Sequence, residues 1–197
     1  MQELKLEIIT YPHPTLRHAS KPIVRVDAAL RKIVSEMFDL MYAARGVGLA
    51  ANQVDLPLRL FVVNLTAEKG TGEELVFINP VVSRPKSSEE AEEGCLSIPE
   101  VYGPVARPKQ IHINAYSLDG QEMTATLDGL LARVIQHESD HLDGVLFPDK
   151  MNDSAQATIA DDLTALESQF AMRQQASEIP TNDAIAQRLQ DWETKYC

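Results

Sequence analysis

Cysteine is nearly absent. The 197-residue chain has two, Cys95 and Cys197. Cys197 is the last residue, which disfavours a structural disulfide and makes the cytoplasm the expected location. No apolar run approaches the length that spans a bilayer. Met1-Gln2-Glu3-Leu4-Lys5 lacks the long apolar core of a secretion signal. Both absences point away from a membrane. An excess of positive charge is missing too: the formal net charge is -11. That argues against a grip on nucleic acid through a broad basic surface. The chain has no internal repeat and no low-complexity segment. Its length allows one domain with a sizeable core and a tail. Histidine is also scarce, five in all, and none follows His141.

Two of those histidines carry the strongest signal. His137 and His141 lie in Gln136-His137-Glu138-Ser139-Asp140-His141, four apart and therefore on one face of a helix. Two imidazoles so spaced can grip one metal ion, and Glu138 beside them can handle a proton from metal-bound water. Leu130, Leu131, Val134 and Ile135 give an apolar stripe before the motif, and Gly144 can stop the helix. The plainer alternative is a pair of partly buried histidines with ordinary hydrogen-bond partners.

A catalytic metal site takes three protein ligands and keeps a position open for water. Downstream of His141 only acids such as Asp143, Asp149 or Glu167 could supply the third. Upstream stands Cys95, in Glu92-Glu93-Gly94-Cys95-Leu96-Ser97-Ile98-Pro99. By itself Cys95 could be a small buried hydrophobe. Beside the two histidines it is the better third ligand.

The remaining pattern places these pieces. Residues 4–9 suggest an edge strand, and Tyr11-Pro12-His13-Pro14 forces an extended or turn path. His13 and His18 read as surface or supporting residues, not ligands. Residues 27–45 predict a helix with Asp27 as N-cap, a stripe of Leu30, Ile33, Met37, Leu40, Met41 and Ala44, and Gly46 as a stop. Gly46-Val47-Gly48-Leu49-Ala50-Ala51-Asn52-Gln53 follows. It is either a tight turn between helix and strand or a close approach for a ligand, with Gln53 offering an amide N–H to a developing oxyanion. Strands are expected over 59–65 and 75–78, the second ended by Asn79-Pro80 with Val81-Val82 as a candidate extension of the sheet, and an exposed acidic loop or turn over 86–93. A hairpin is expected for 110–116 and 121–127 about Leu118-Asp119-Gly120. After residue 150, Ile159, Leu163, Leu166 and Phe170 mark one amphipathic helix. Thr181, Ile185, Leu189 and Trp192 mark a second, and both are expected to pack back on the domain.

Three motifs together resemble the peptide deformylases. That family carries Gly-x-Gly-x-Ala-Ala-x-Gln, matched by Gly46 to Gln53. It carries Glu-Gly-Cys-Leu-Ser, matched by Glu93 to Ser97, and Gln-His-Glu-x-Asp-His-Leu-x-Gly, matched by Gln136 to Gly144. They occur in family order across about residues 5–150. The resemblance implies a compact α+β domain over 1–150, with mostly antiparallel strands around a central metal-binding helix, and a helical extension over 151–197. It implies that Cys95, His137 and His141 bind one divalent ion: Fe(II) in many members, zinc in some, with Ni(II) and Co(II) suited to the same donors. It implies Glu138 as general acid/base, Gln53 and the Leu96 backbone N–H as oxyanion donors, and Val47, Gly48, Glu93 and Gly94 along the substrate. The substrate would be an N-formylmethionyl peptide, met in passing near the ribosome. Tyr102 stands where some members have a peptide-contacting arginine. Arg107 is nearby, either a substitute for it or an ordinary surface arginine, and Arg133 is placed either to hold an acid such as Glu93 or to reach solvent. Residues 150–197 hold more acids than bases, so a basic C-terminal contact with the ribosome is not expected.

Two other readings use the same residues. A zincin-type peptidase would want a downstream ligand. A structural zinc module would want a fourth ligand and no Glu138.

Overall fold

A computed structural model describes residues 6–197. Its centre is an antiparallel five-stranded sheet with a long helix on each face. The first helix, α1 (Ala28–Ala43), starts where the Asp27 carboxylate accepts the Leu30 N–H at 2.8 Å. It buries Leu30, Ile33, Val34, Met37, Phe38 and Met41. Burying each such side chain stabilises the fold by about 1.5–3 kcal/mol, well beyond what helix propensity supplies.

The sheet is built from β1 (Gly48–Ala50), β2 (Leu60–Val63), β3 (Leu75–Lys86), β6 (Gln110–Tyr116) and β7 (Glu122–Asp128), in that spatial order. A two-stranded hairpin, β4 (Glu89–Cys95) and β5 (Ile98–Arg107), stands apart from it. β2 is apolar throughout because both of its faces are covered. Leu60 and Val62 join the core under α1, while Phe61 and Val63 join the core under the second helix, α2 (Gly129–Leu142). α2 therefore lies against the sheet opposite α1, with Ala132, Ile135 and Leu142 buried there.

Three sequence expectations need correction. The acidic stretch 86–93 is not an exposed loop, because β4 begins at Glu89 and pairs with β5 from Glu89↔Arg107 to Gly94↔Tyr102. The strand was hidden by its charge, since its inward face buries a carboxylate, Glu93, against arginine. Asn79-Pro80 does not end β3. The register against β6 shifts there, and a bulge accommodates a residue with no N–H. The Asn79 side chain then ties down the chain at Ile23, accepting its N–H and donating to its carbonyl, both at 2.8 Å. The expected edge strand over 4–9 lies partly outside the described residues. From Leu6 to Thr10 the chain is extended but unpaired as a strand, docked by the Ile9 N–H on the Gln53 carbonyl at 2.9 Å.

Two helices follow, α3 (Asp153–Gln175) and α4 (Asn182–Tyr196). Both pack back on the domain, as their apolar stripes suggest. Ile159, Leu163 and Leu166 of α3 brace β5 through Val101 and Val105. α4 ends on Tyr196, fully buried among Ile23, Leu30 and Leu58, with its hydroxyl on the Asp27 carboxylate at 3.0 Å. Burial and the Asp27 bond push the Tyr196 hydroxyl up to about 12. A raised value means that the folded state favours the neutral phenol. The stabilisation is therefore complete below the ordinary value of 10.0 and is lost as pH rises toward about 12. We expect Tyr196→Phe to lose less stability than the parent over that alkaline window, measured as the shift of the urea midpoint with pH.

Candidate metal centre and active site

α2 delivers the site. It ends where Gly144 adopts φ +72° and donates its N–H to the His141 carbonyl at 3.0 Å. A Cβ at Gly144 would meet the Arg17 carbonyl oxygen at 2.5 Å, so only glycine closes the helix here. One turn apart on its inner face, the His137 and His141 rings lie with centroids 5.0 Å apart and planes at 75°. Cys95 reaches them from the end of β4, where the register against β5 shifts between Gly94 and Cys95. Its Sγ is 3.3 Å from His141 Nε2. One donor atom from each of Cys95, His137 and His141 falls within 4.8 Å of the others.

These residues fit a divalent ion. A thiolate and two imidazoles are a common catalytic donor set. His137 Nδ1 is held by Glu93 Oε2 at 3.0 Å, which leaves Nε2 as its ligand atom. Buried polar atoms without partners also gather here: Glu138 Oε2 and His141 Nδ1.

Glu93 anchors the site. Its Oε1 accepts Arg107 Nε and Arg133 Nη1, each at 2.6 Å, and its Oε2 accepts Arg107 Nη2 at 2.9 Å as well as His137. Burial alone would raise its carboxyl, but His137 and Arg107 outweigh that and hold it at about 2. Arg107 also reaches Asp140 at 2.7 Å.

Glu138 is buried and lies against β1, where a Cβ at Gly48 would meet its Oε1 at 2.5 Å. Burial pushes its carboxyl up to about 7 against the pull of His137, a value suited to proton transfer. Gln53 is buried, and its Nε2 donates to Cys95 Sγ at 3.4 Å and Ser97 Oγ at 3.2 Å. Its Oε1 accepts the Ala50 N–H at 2.9 Å, which fixes the amide's orientation. A cleft of about 560 Å³ opens over Gln53, Cys95, His137 and Glu138, walled by Val47, Gly48, Leu96, Tyr102, Leu130 and Val134.

The polypeptide deformylase family model matches residues 5–157. The chain belongs to that family. It is 47% identical over 193 residues to the peptide deformylase of Rhodopirellula baltica, covering 98% of this chain and 96% of that one. It is 45% identical to the chloroplastic peptide deformylase 1B of Solanum lycopersicum, over 93% of this chain and 65% of that one. Among solved structures it is similar to Arabidopsis thaliana peptide deformylase 1B, with TM-score 0.82 and 39% identity over 90% of this chain and 97% of that one. It is also similar to the Legionella pneumophila deformylase, with TM-score 0.77 and 36% identity over 85% and 98%. The chain is thus a metal-dependent hydrolase that removes the N-formyl group from nascent peptides.

Within this deformylase the three motifs converge, and most expected residues meet at one cleft. Arg107 does not. Only 4% exposed, it turns away from the cleft because its guanidinium is committed to Glu93 and Asp140. The Glu93 side chain likewise faces His137 and the arginines, although Glu93 still contributes to the cleft lining. Tyr102 stands exposed at the mouth with its ring over Gly94, where a Cβ would lie 2.6 Å from two ring carbons. Of the two readings of Arg133, the structure has the first: it holds Glu93. His13 takes the supporting branch of its reading: it is buried, with Nδ1 accepting the Thr15 N–H and its ring edge-on to Phe170. Asp140 and Ser97 were not singled out in the sequence. Both lie inside the quoted motifs, but only the fold shows their partners.

Removing Glu93 frees the His137 ring and leaves Arg107 to Asp140 alone. Glu93→Gln should weaken zinc binding about 10- to 100-fold, read by competition with a chromogenic chelator. Gly48→Ala should leave the metal bound but displace Glu138, lowering formate release about 100-fold or more.

Proposed function

We propose that Cys95, His137 and His141 hold one divalent ion, Fe(II) in the cell, and that Glu138 is the general acid/base of deformylation. The observation that carries this reading is the meeting of Cys95 with the two histidines, donor atoms within 4.8 Å, at a cleft that Cys95 and His137 line. The donor set suits Fe(II), Zn(II), Co(II) and Ni(II) alike. Iron rests on the family resemblance.

When bound, the ion supplies a Lewis acid that acidifies water and polarises the formyl carbonyl. The residues do the rest. Glu138 takes the proton from the attacking water and returns it to the departing amine. The Gln53 amide and the Leu96 N–H stabilise the oxygen that gains charge at the formyl carbon. Glu93 keeps His137 oriented, while Val47, Gly48 and Gly94 lie along the peptide. Residues 1–150 form the catalytic unit and 151–197 a helical extension. That extension is acidic, so contact with the ribosome is passing and does not depend on it. Both cysteines are free, in keeping with a reducing compartment such as the cytoplasm.

The test is formate release from formyl-Met-Ala-Ser by anaerobically prepared, Fe(II)-loaded protein. Glu138→Ala should keep fold and metal yet lose turnover by about 100- to 10,000-fold. A Glu138→Ala protein with parental turnover would sink the assignment.

A further inference from the structure

The turn that carries Gln53 has no helix of its own behind it. It is a short 3-10 turn, Ala51–Val54, ending at Asp55 with φ 62°. A non-glycine residue in the left-handed region needs its surroundings to hold it. Two groups do so here: the Thr15 hydroxyl donates to Asp55 Oδ1, and Arg188 of α4 pairs with Oδ2.

The rest of the turn leans on residues 9–24. The Gln53 carbonyl accepts the Ile9 N–H at 2.9 Å. Asn52 donates to the His18 carbonyl at 2.8 Å and accepts the Ser20 hydroxyl at 2.9 Å. This segment is in turn pinned by α4. Glu193 bonds His18 at 2.7 Å and Lys21 at 2.6 Å, and the Tyr196 carbonyl accepts the Val24 N–H at 2.8 Å. α4 thus reaches the Gln53 turn by two routes, directly through Arg188 and indirectly through residues 9–24.

We propose that the C-terminal helix positions the oxyanion donor: Arg188, acting through Asp55, and Glu193, acting through His18 and Lys21, hold the turn that aims Gln53 at the reacting carbonyl. The proposal rests on the reading of Gln53 as that donor. Arg188 and Glu193 touch no substrate; they are positioning residues. The Arg188 side chain is 37% exposed, and a partly exposed ion pair contributes little to global stability. The effect of removing these anchors is therefore local, on a turn that stores backbone strain.

The experiment uses the full-length, metal-loaded enzyme as Arg188→Ala, Arg188→Lys, Arg188→Ala/Glu193→Ala, Gln53→Ala and Gln53→Ala/Arg188→Ala. Arg188→Ala should lower kcat about fivefold, and the double anchor variant about tenfold, with KM and metal content unchanged. Amide exchange at Ile9 and Leu56, whose N–H groups bond Gln53 and Ala51, should quicken in step. Arg188→Lys should restore both. In the Gln53→Ala background Arg188→Ala should cost nothing further. The proposal is overturned if kcat and exchange in the Arg188→Ala enzyme stay within about twofold of the parent, or if its loss multiplies with that of Gln53→Ala. Gln53→Ala with parental kcat would instead remove the oxyanion reading, and the proposal with it. Should the double anchor variant not fold, Arg188→Ala and Arg188→Lys still decide by exchange.

Discussion

A single buried carboxylate holds the catalytic architecture together. Glu93 accepts from Arg107, Arg133 and His137 at once, joining β4, β5 and α2. Burying that much charge is costly, and the cost is recovered only when every partner is in place. Losing the acid would leave the buried Arg107 with Asp140 as its one carboxylate partner and free the His137 ring. The same charges hold Glu93 ionised down to about 2. Its stabilisation is therefore full above the ordinary value of 4.5 and is lost progressively as pH falls from there through about 2.

Around this point the fold acts as a frame. The sheet fixes α2 from one side, α1 backs the sheet from the other, and the β4–β5 hairpin carries Cys95 over the histidine pair. Small residues set the clearances. Gly48 leaves room for Glu138, Gly94 lies beneath the Tyr102 ring, and Gly144 lets α2 turn away against Arg17. Two charged residues of the tail turn inward: Glu193 meets the N-terminal segment and Arg188 the Gln53 turn.

Much of this was legible in the chain. The spacing of His137 and His141, the lack of any later histidine and the upstream Cys95 were enough to suggest the metal set, because ligand chemistry is local and strict. α1 and the β6–β7 hairpin were legible from periodicity and turn residues. What failed was long-range. β4 looked like a polar loop because its stabilising partner, Arg107, lies on the next strand. Arg107 read as a candidate peptide contact for the same reason. His13 gave no sign of burial, since Phe170 comes from a helix far along the chain. Burial of a charge is a property of pairs, and a single sequence shows only one partner at a time.

The central claim is that one sulfur and two imidazoles share an ion. X-ray absorption at the metal edge of the zinc-loaded protein tests it most directly. The account predicts one sulfur at about 2.3 Å and two nitrogens at about 2.0–2.1 Å, with the sulfur gone in Cys95→Ser. A shell of nitrogen and oxygen alone in the parent protein would contradict it.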